Sequence, residues 1–202
     1  MFWKKNRELI QPEWLVVGLG NPGGQYDGTR HNVGFEVINR LAKRHRINVN
    51  QRKHKAVYGM GKIGKDETPV LIARPMTYMN LSGSAVSALM HTYKIPPERI
   101  IVVYDDMDLE VGRVRIKPKG GGGSHNGMAS IIASLQTEDF PRVRIGIGSP
   151  AWSGADYVLS KFEGDEIPVI LDALERATDG CELIIIQGVD KAMNIINASE
   201  KD

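Results

Sequence analysis

The chain leaves its first apolar run, Trp14 to Leu19, through Gly18-Leu19-Gly20-Asn21-Pro22-Gly23. A short continuous apolar run ending in glycine reads as a buried strand. A glycine loop leading from such a strand to a helix commits the chain to a βα unit and so to a layered α/β fold. The spacing also satisfies GxGxxG, the turn that sets a helix N-terminus against a pyrophosphate in dinucleotide-binding folds. The flanks contradict that use. Gly24, Tyr26, Asp27, Gly28 and Thr29 prolong the loop, and no apolar helical stripe begins before Val33. The acid that a ribose hydroxyl needs about 20 residues further on is replaced by Lys43-Arg44-His45-Arg46. The glycines are therefore expected to shape a long loop ending in Arg30-His31-Asn32. A polar loop with a histidine and two asparagines suits hydrolysis better than nicotinamide chemistry, which disfavours a nucleotide-dependent oxidoreductase.

Further along, helical spacing of Val33, Val37, Ile38 and Leu41 predicts a helix with Asn32 as a plausible N-cap. Residues 56–63 and 69–73 read as two strands joined by the turn Gly64-Lys65-Asp66. The stretch 81–93 reads as a helix with Leu81, Val86, Leu89 and Met90 on one face, stopped by Pro96-Pro97. The β-branched run 100–104 predicts a central buried strand. Val114 to Lys117 alternates as a half-exposed strand would, 127–135 reads as helical, and 143–147 as another strand. Long and short helices are expected over 165–186 and 190–197. Strands alternating with helices predict one α/β domain: a three-layer sandwich around a twisted, mixed, largely parallel sheet. The domain is expected to cover 14–202, after an N-terminal extension over 1–13.

With 202 residues, 42% hydrophobic and 25% charged, the chain can bury one substantial core. No run reaches the roughly 18 apolar residues of a membrane span. The first residues resemble neither a signal peptide nor a convincing transit peptide, so a cytoplasmic protein is expected. Cys181, beside Leu183-Ile184-Ile185-Ile186, is expected to be a buried structural thiol. Charge is unevenly spread. Residues 149–202 hold 4 Lys/Arg and 11 Asp/Glu, net −7, against 22 and 13 before them, net +9. A basic body suits a polyanionic partner, although solvated surface lysines are the blander and commoner explanation.

Ligands of open α/β sheets sit beyond the carboxyl ends of the strands. The polar groups that follow the expected strands are Asn21 and His31-Asn32, then Arg74 to Asn80, then Asp105-Asp106-Met107-Asp108, then Gly120 to Gly123 with Ser124-His125-Asn126. This is an inventory for general-base activation of water with amide hydrogen bonds to a carbonyl. Each feature has a structural reading too. His31 and His125 both stand before an asparagine at a helix start and could serve in capping, and Asn80 could be an N-cap. The acidic turn resembles a magnesium cluster, yet no second cluster supplies further ligands, and no Cys/His spacing suggests zinc. Ser124 beside His125 fails the GxSxG pattern because Asn126 replaces the last glycine. Composition and spacing stop at a hydrolase-like domain with a His–Asp pair, and leave open which histidine is the base.

Taken together, VVGLGNPGGQYDGTRHNVGF (16–35), RPMTYMNLSGSAV (74–86), IIVVYDDMDLEVGRVRIK (100–117), GGGGSHNGMASI (120–131) and FPRVRIGIGSP (140–150) closely resemble the bacterial-type peptidyl-tRNA hydrolases. Five motifs in register are specific where any one is weak, and DYVLSKF (156–162) extends the likeness. The resemblance implies cleavage of the ester between a peptide and the 3′ ribose of tRNA, without metal or cofactor, by a monomer. It implies His31 as general base, Asp105 as the residue orienting it, and Asn21 as the catalytic-site residue that distinguishes N-blocked substrates. Tyr26, Tyr78, Asn80 and Asn126 match substrate-contact positions, with Asn80 a candidate for the carbonyl or oxyanion. Arg115, Lys117, Arg142 and Arg144 lie where the family holds acceptor-arm phosphates, and His125 becomes a supporting residue. Three features depart from the pattern: the N-terminal extension, Ser124 where glycine is frequent, and a 150–156 loop without its common lysine. A non-catalytic RNA-binding relative on the same fold is the rival reading, against which the retained His31, Asp105 and asparagines argue.

Overall fold

A computed structural model of the protein describes residues 11–149 and 154–198. Its elements are β1 (Trp14–Gly18), α1 (Val33–Arg44), β2 (Gln51–Lys53), β3 (Ala56–Ile63), β4 (Thr68–Pro75), α2 (Ser82–Tyr93), β5 (Ile100–Asp106), β6 (Val114–Lys117), α3 (Asn126–Leu135), β7 (Arg142–Gly146), α4 (Gly154–Val158), α5 (Glu166–Gln187) and α6 (Val189–Ala198). The strands form one sheet in the order β2-β3-β4-β1-β5-β7-β6. The central four, β4-β1-β5-β7, are parallel. The β2–β3–β4 ribbon and β6 add antiparallel edges. The expected mixed, largely parallel sheet with helices on both faces is the observed one.

Strand periodicity divides the core. Val16, Ile72, Ile101 and Val103 point to one face, under α1, α5 and α6, while Leu15, Val17, Leu71, Val102 and Tyr104 point to the other, under α2 and α3. This is the period of two that a strand buried on both sides obeys. Cys181 is fully buried in the first of these layers, and burial pushes its thiol pKa well up. The close fit of α1 on β1 depends on two glycines. A Cβ on Gly18 would stand 2.0 Å from the Gly34 carbonyl oxygen, and one on Gly34 would stand 2.4 Å from the Leu19 nitrogen. Gly18 thus serves packing, rather than the loop alone.

Several local expectations change. Leu81 is 54% exposed, outside the packed face of α2, because the helix starts at Ser82 after a 3-10 turn over Met79–Leu81. Asn80 lies in that turn and does not cap the helix. β2 and α4 were not foreseen: β2 is three exposed residues held by backbone pairing, and α4 spans five residues. Neither carries an apolar pattern to read. The acidic C-terminal quarter is also partly spent inside the molecule, where Arg40, Arg44 and His45 on and after α1 pair with Glu175, Asp179 and Glu182 of α5. At the β6 edge, the Asn197 side chain accepts from the Ile116 N–H and donates to its carbonyl, standing in for a missing neighbour strand. Among the described residues, no helix is long and apolar enough to cross a membrane.

Candidate active site

Four parallel strands place the loops after β1, β4, β5 and β7 at one end of the sheet, where α/β folds bind ligands. The loop after β1 closes on itself. Asn32 Oδ1 accepts the Asn21 N–H at 2.8 Å, and Asn32 Nδ2 donates to the Asn21 carbonyl at 3.0 Å. Both ends of the Asn32 amide are engaged, so it makes no capping bond to α1. The expected N-cap is instead a clasp. Asn21 Oδ1 accepts the Met79 N–H at 2.9 Å, which ties the loop after β1 to the loop after β4. That bond fixes the amide orientation and leaves the two Nδ2 hydrogens of Asn21 facing away from Met79.

His31 and Asp105 meet across 74 positions of sequence. His31 Nδ1 lies 2.9 and 2.8 Å from the two carboxylate oxygens of Asp105, near the end of β5. His125 approaches the same carboxylate, with Nε2 3.0 Å from Oδ1. The Met128 N–H donates to His125 Nδ1 at 3.2 Å, so His125 is the N-cap of α3. These contacts assign the tautomers. His125 Nδ1 is an acceptor, so its Nε2 carries the hydrogen donated to Asp105. His31 donates its Nδ1 hydrogen to Asp105 and keeps a lone pair on Nε2, which is the form of a base. The two rings stand 5.0 Å apart, and Tyr104 stands edge-on to His125.

Asp105 is 2% exposed. Burial by itself would raise its pKa, but the charge and hydrogen bonds of His125 and His31 outweigh burial and hold the carboxyl well below the usual range. His31, Asp105 and His125 also have donor atoms within 4.8 Å of one another, a spacing a metal ion could use. The proton network fits them better. Coordination through His125 Nε2 would move its hydrogen to Nδ1, where the Met128 N–H already points. His125 is not available as a base for Ser124 either, since both of its nitrogens are occupied.

A cleft of about 410 Å³ opens beside the pair, lined by His31, Asp106, Lys117, the Gly120–Ser124 loop, Asn126, Arg144 and, from α4, Gly154, Ala155 and Val158. Asn126 and Asn80 are exposed, Tyr26 is half-buried and Tyr78 is 63% exposed. The four basic residues of β6 and β7 pair directly, Arg115 with Arg144 and Lys117 with Arg142, which puts all four on one sheet face. Three of them already have partners. Arg144 Nε donates to Asp106 at 2.6 Å, and Arg115 donates to the Asn197 carbonyl in α6. Arg142 is 1% exposed, with its guanidinium bonded to the Gly121 and Glu138 carbonyls and stacked on Phe140. Its geometry is that of a brace for the glycine loop, and Lys117 is the exposed cation of the set. Residues 150–153 of the 150–156 loop lie outside the described residues, as do residues 1–10 of the extension.

Sequence reasoning missed Arg30. Its guanidinium grips Glu166 at 3.0 and 2.6 Å, donates to Ser160 and the Ile147 carbonyl, and is sandwiched by Tyr157 and Phe162. It anchors the His31 turn to α5 and to the chain around α4. The available signal was an arginine adjoining the candidate base.

The fold and this site define a class: an α/β hydrolase-like centre with an oriented imidazole, neighbouring amides and a basic cleft. The model of the peptidyl-tRNA hydrolase family matches residues 15–202. The peptidyl-tRNA hydrolase of Alkaliphilus metalliredigens is 54% identical over 185 residues, covering 91% of this chain and 99% of that protein. Its counterpart from Alkaliphilus oremlandii is 50% identical over 184 residues, covering 91% and 98%. The crystal structure of the Acinetobacter baumannii peptidyl-tRNA hydrolase superposes with a TM-score of 0.86 at 38% identity, covering 92% of this chain and 94% of that one. The chain belongs to the peptidyl-tRNA hydrolase family.

Proposed function

We propose that the protein hydrolyses the ester of peptidyl-tRNA in the cytoplasm, as a monomer, with His31 as general base and no metal. His31 Nε2 takes a proton from water as the hydroxyl oxygen bonds to the ester carbonyl carbon. The carbonyl electron pair moves to oxygen, where Asn80 donates a hydrogen bond, while Asn21 Nδ2 and Asn126 hold peptide carbonyls. The tetrahedral centre then collapses, the ribose 3′ oxygen leaves with the proton from the His31 imidazolium, and a peptide acid and a free 3′ hydroxyl result. Asp105 compensates the transient imidazolium from a buried position. An ester is activated enough for water and one base. Amides satisfy any peptide backbone without selecting a side chain.

Tyr26 and Tyr78 flank the peptide side, while Lys117 and Arg144 receive acceptor-arm phosphates. Arg115 and Arg142 serve this surface by bracing α6 and the glycine loop. The observation that carries the reading is the hydrogen-bonded His31–Asp105 pair, with its tautomer set by geometry, at the wall of a basic cleft. The test is ester release from N-acetyl-aminoacyl-tRNA. His31→Ala should slow turnover by about 10²–10⁴-fold, the weight of general-base catalysis, and His125→Ala much less. The reverse ranking would reassign the base, and inactivity of the unmodified protein would favour a non-catalytic RNA-binding role.

A further inference from the structure

Residues 37–65 hold nine Lys/Arg and no acid. The fold neutralises part of this run, with Arg40 and Arg44 paired to α5 and Lys62 to Glu67. Among the described residues, no ion pair engages Arg52, Lys53 or Lys55, and all three are exposed. They stand at the tip of the β2–β3 hairpin. Lys53 pairs with Ala56, so His54 and Lys55 form a two-residue turn, with φ of 57° and 55°. Two positive φ values in succession make the type I′ turn, for which Asn-Gly is the unstrained choice. A His-Lys turn keeps side chains in a conformation that L-residues resist, and strain of this kind collects at binding surfaces.

The tip is attached to the active site. The Met76 N–H donates to the Lys55 carbonyl at 2.8 Å, and three residues later the Met79 N–H holds Asn21. Arg52 stands opposite Val57, and Val57 opposite Arg74, so the two arginines share a sheet face two strands apart. The Arg74 pKa is lowered, by burial first and also by the charge of Arg52. The acids within reach of Arg74 are Glu36, which pairs with Arg40, and Asp27.

The site is therefore flanked on both sides by cations. The β6–β7 flank opens on the cleft with Lys117 and Arg144. Between His31 and the other flank lie the amides of Asn21 and Asn80, groups that suit a peptide backbone. With the acceptor arm on the first flank, the peptide runs over the amides toward the hairpin. At about 4.8 Å per strand, the tip lies roughly 15–20 Å from the His31–Asp105 pair. An extended peptide covers that in about five or six residues.

We infer that Arg52, Lys53 and Lys55 form a peptide-side surface that favours acidic side chains about five residues upstream of the scissile ester. The inference rests on the hydrolase reading above. It adds a bias to an otherwise backbone-directed site, and each exposed charge pair is worth about a 1.5- to 5-fold factor.

The experiment compares peptides carrying Glu or Lys at those positions, esterified to one tRNA, alongside N-acetyl-aminoacyl-tRNA, which is too short to reach the tip. The unmodified protein should prefer the Glu peptide by about three- to tenfold in kcat/KM at low salt, with the preference fading near 0.5 M salt. Arg52→Gln, Lys53→Gln and Lys55→Gln together should erase the preference and leave the short substrate unchanged. Replacing His54-Lys55 by Asn-Gly suits the turn and removes one cation; it should reduce the preference without lowering Tm, and it keeps the test available if the triple variant misfolds. Absence of a preference in the unmodified protein, or its survival in these variants, overturns the proposal. So does equal loss for both peptides together with weaker binding of deacylated tRNA, which would make the tip an RNA surface. Failure to cleave even the short substrate would instead overturn the hydrolase reading.

Discussion

Asp105→Asn is the substitution that most directly tests the tautomer assignment. Asp105 accepts two hydrogens, from His31 Nδ1 and His125 Nε2. An asparagine of the same shape has one acceptor and one donor end. His125 cannot change tautomer without opposing the Met128 N–H at its Nδ1. The Asn oxygen is therefore drawn to His125, and its NH₂ faces His31 Nδ1. That arrangement moves the His31 hydrogen to Nε2 and removes the base. Loss of general-base catalysis and of the carboxylate opposite the imidazolium should lower kcat by about 10³–10⁴-fold, or roughly 4–5.5 kcal/mol of barrier. Single-turnover hydrolysis of N-acetyl-aminoacyl-tRNA, with tRNA binding measured in parallel, separates this from lost affinity. The same logic foresees a rescue. His125→Asn keeps a capping side chain on α3 and frees the amide at 105 to rotate its oxygen toward His31. Asp105→Asn with His125→Asn should exceed Asp105→Asn alone by about tenfold in kcat. An Asp105→Asn enzyme within a few-fold of the parent, or a double variant no better than the single one, would refute the reasoning.

Activity should survive exhaustive chelation by EDTA, because the His31–Asp105–His125 cluster is satisfied by protons; loss of activity restored by a divalent ion would contradict this. Lys117→Ala with Arg144→Ala should weaken tRNA binding and flatten its log–log salt dependence by about one to two units, while sparing a minimal substrate made of a peptide ester on a short 3′ fragment. Binding across a salt series measures the slope, and equal damage to both substrates would make these residues structural. The Asp105 carboxyl is held below its unfolded-state pKa, so its contribution to stability is present above that value, about 3.9, and is lost as pH falls further toward the folded value. The Tm difference between the parent and Asp105→Asn should be constant near neutrality and narrow below about pH 4. A gap that widens in acid would reverse the assignment.

Much of this protein is written locally. The apolar runs of β1 and β5, the alternation in β6, the periodicity of α1 and α5 and the burial of Cys181 all follow from periods that a sequence displays, because burial of one face imposes them. The motif residues at the strand ends identify the chemistry for the same reason: strand, loop and helix start are contiguous in the chain. Leu81 escaped because a helix boundary depends on where the preceding turn closes. β2 escaped because a strand exposed on both faces has no apolar pattern, and Arg30 because its partners lie more than a hundred residues away.

Which imidazole is left with an unengaged nitrogen belonged to the tertiary structure. His31 and His125 look alike in sequence, each beside an asparagine at a helix start. Their difference arises when strand order brings Asp105 between them and the Met128 N–H engages one ring. Asn32 became a clasp, Arg142 a buried brace, and the basic end of α1 a partly neutralised surface once α5 packed against it. Sequence by itself determined the α/β layers and the set of polar groups available at their ends, since those depend on near neighbours. Only the folded chain decided which groups meet, because hydrogen bonds and ion pairs act over a few ångströms in space, whatever their separation along the chain.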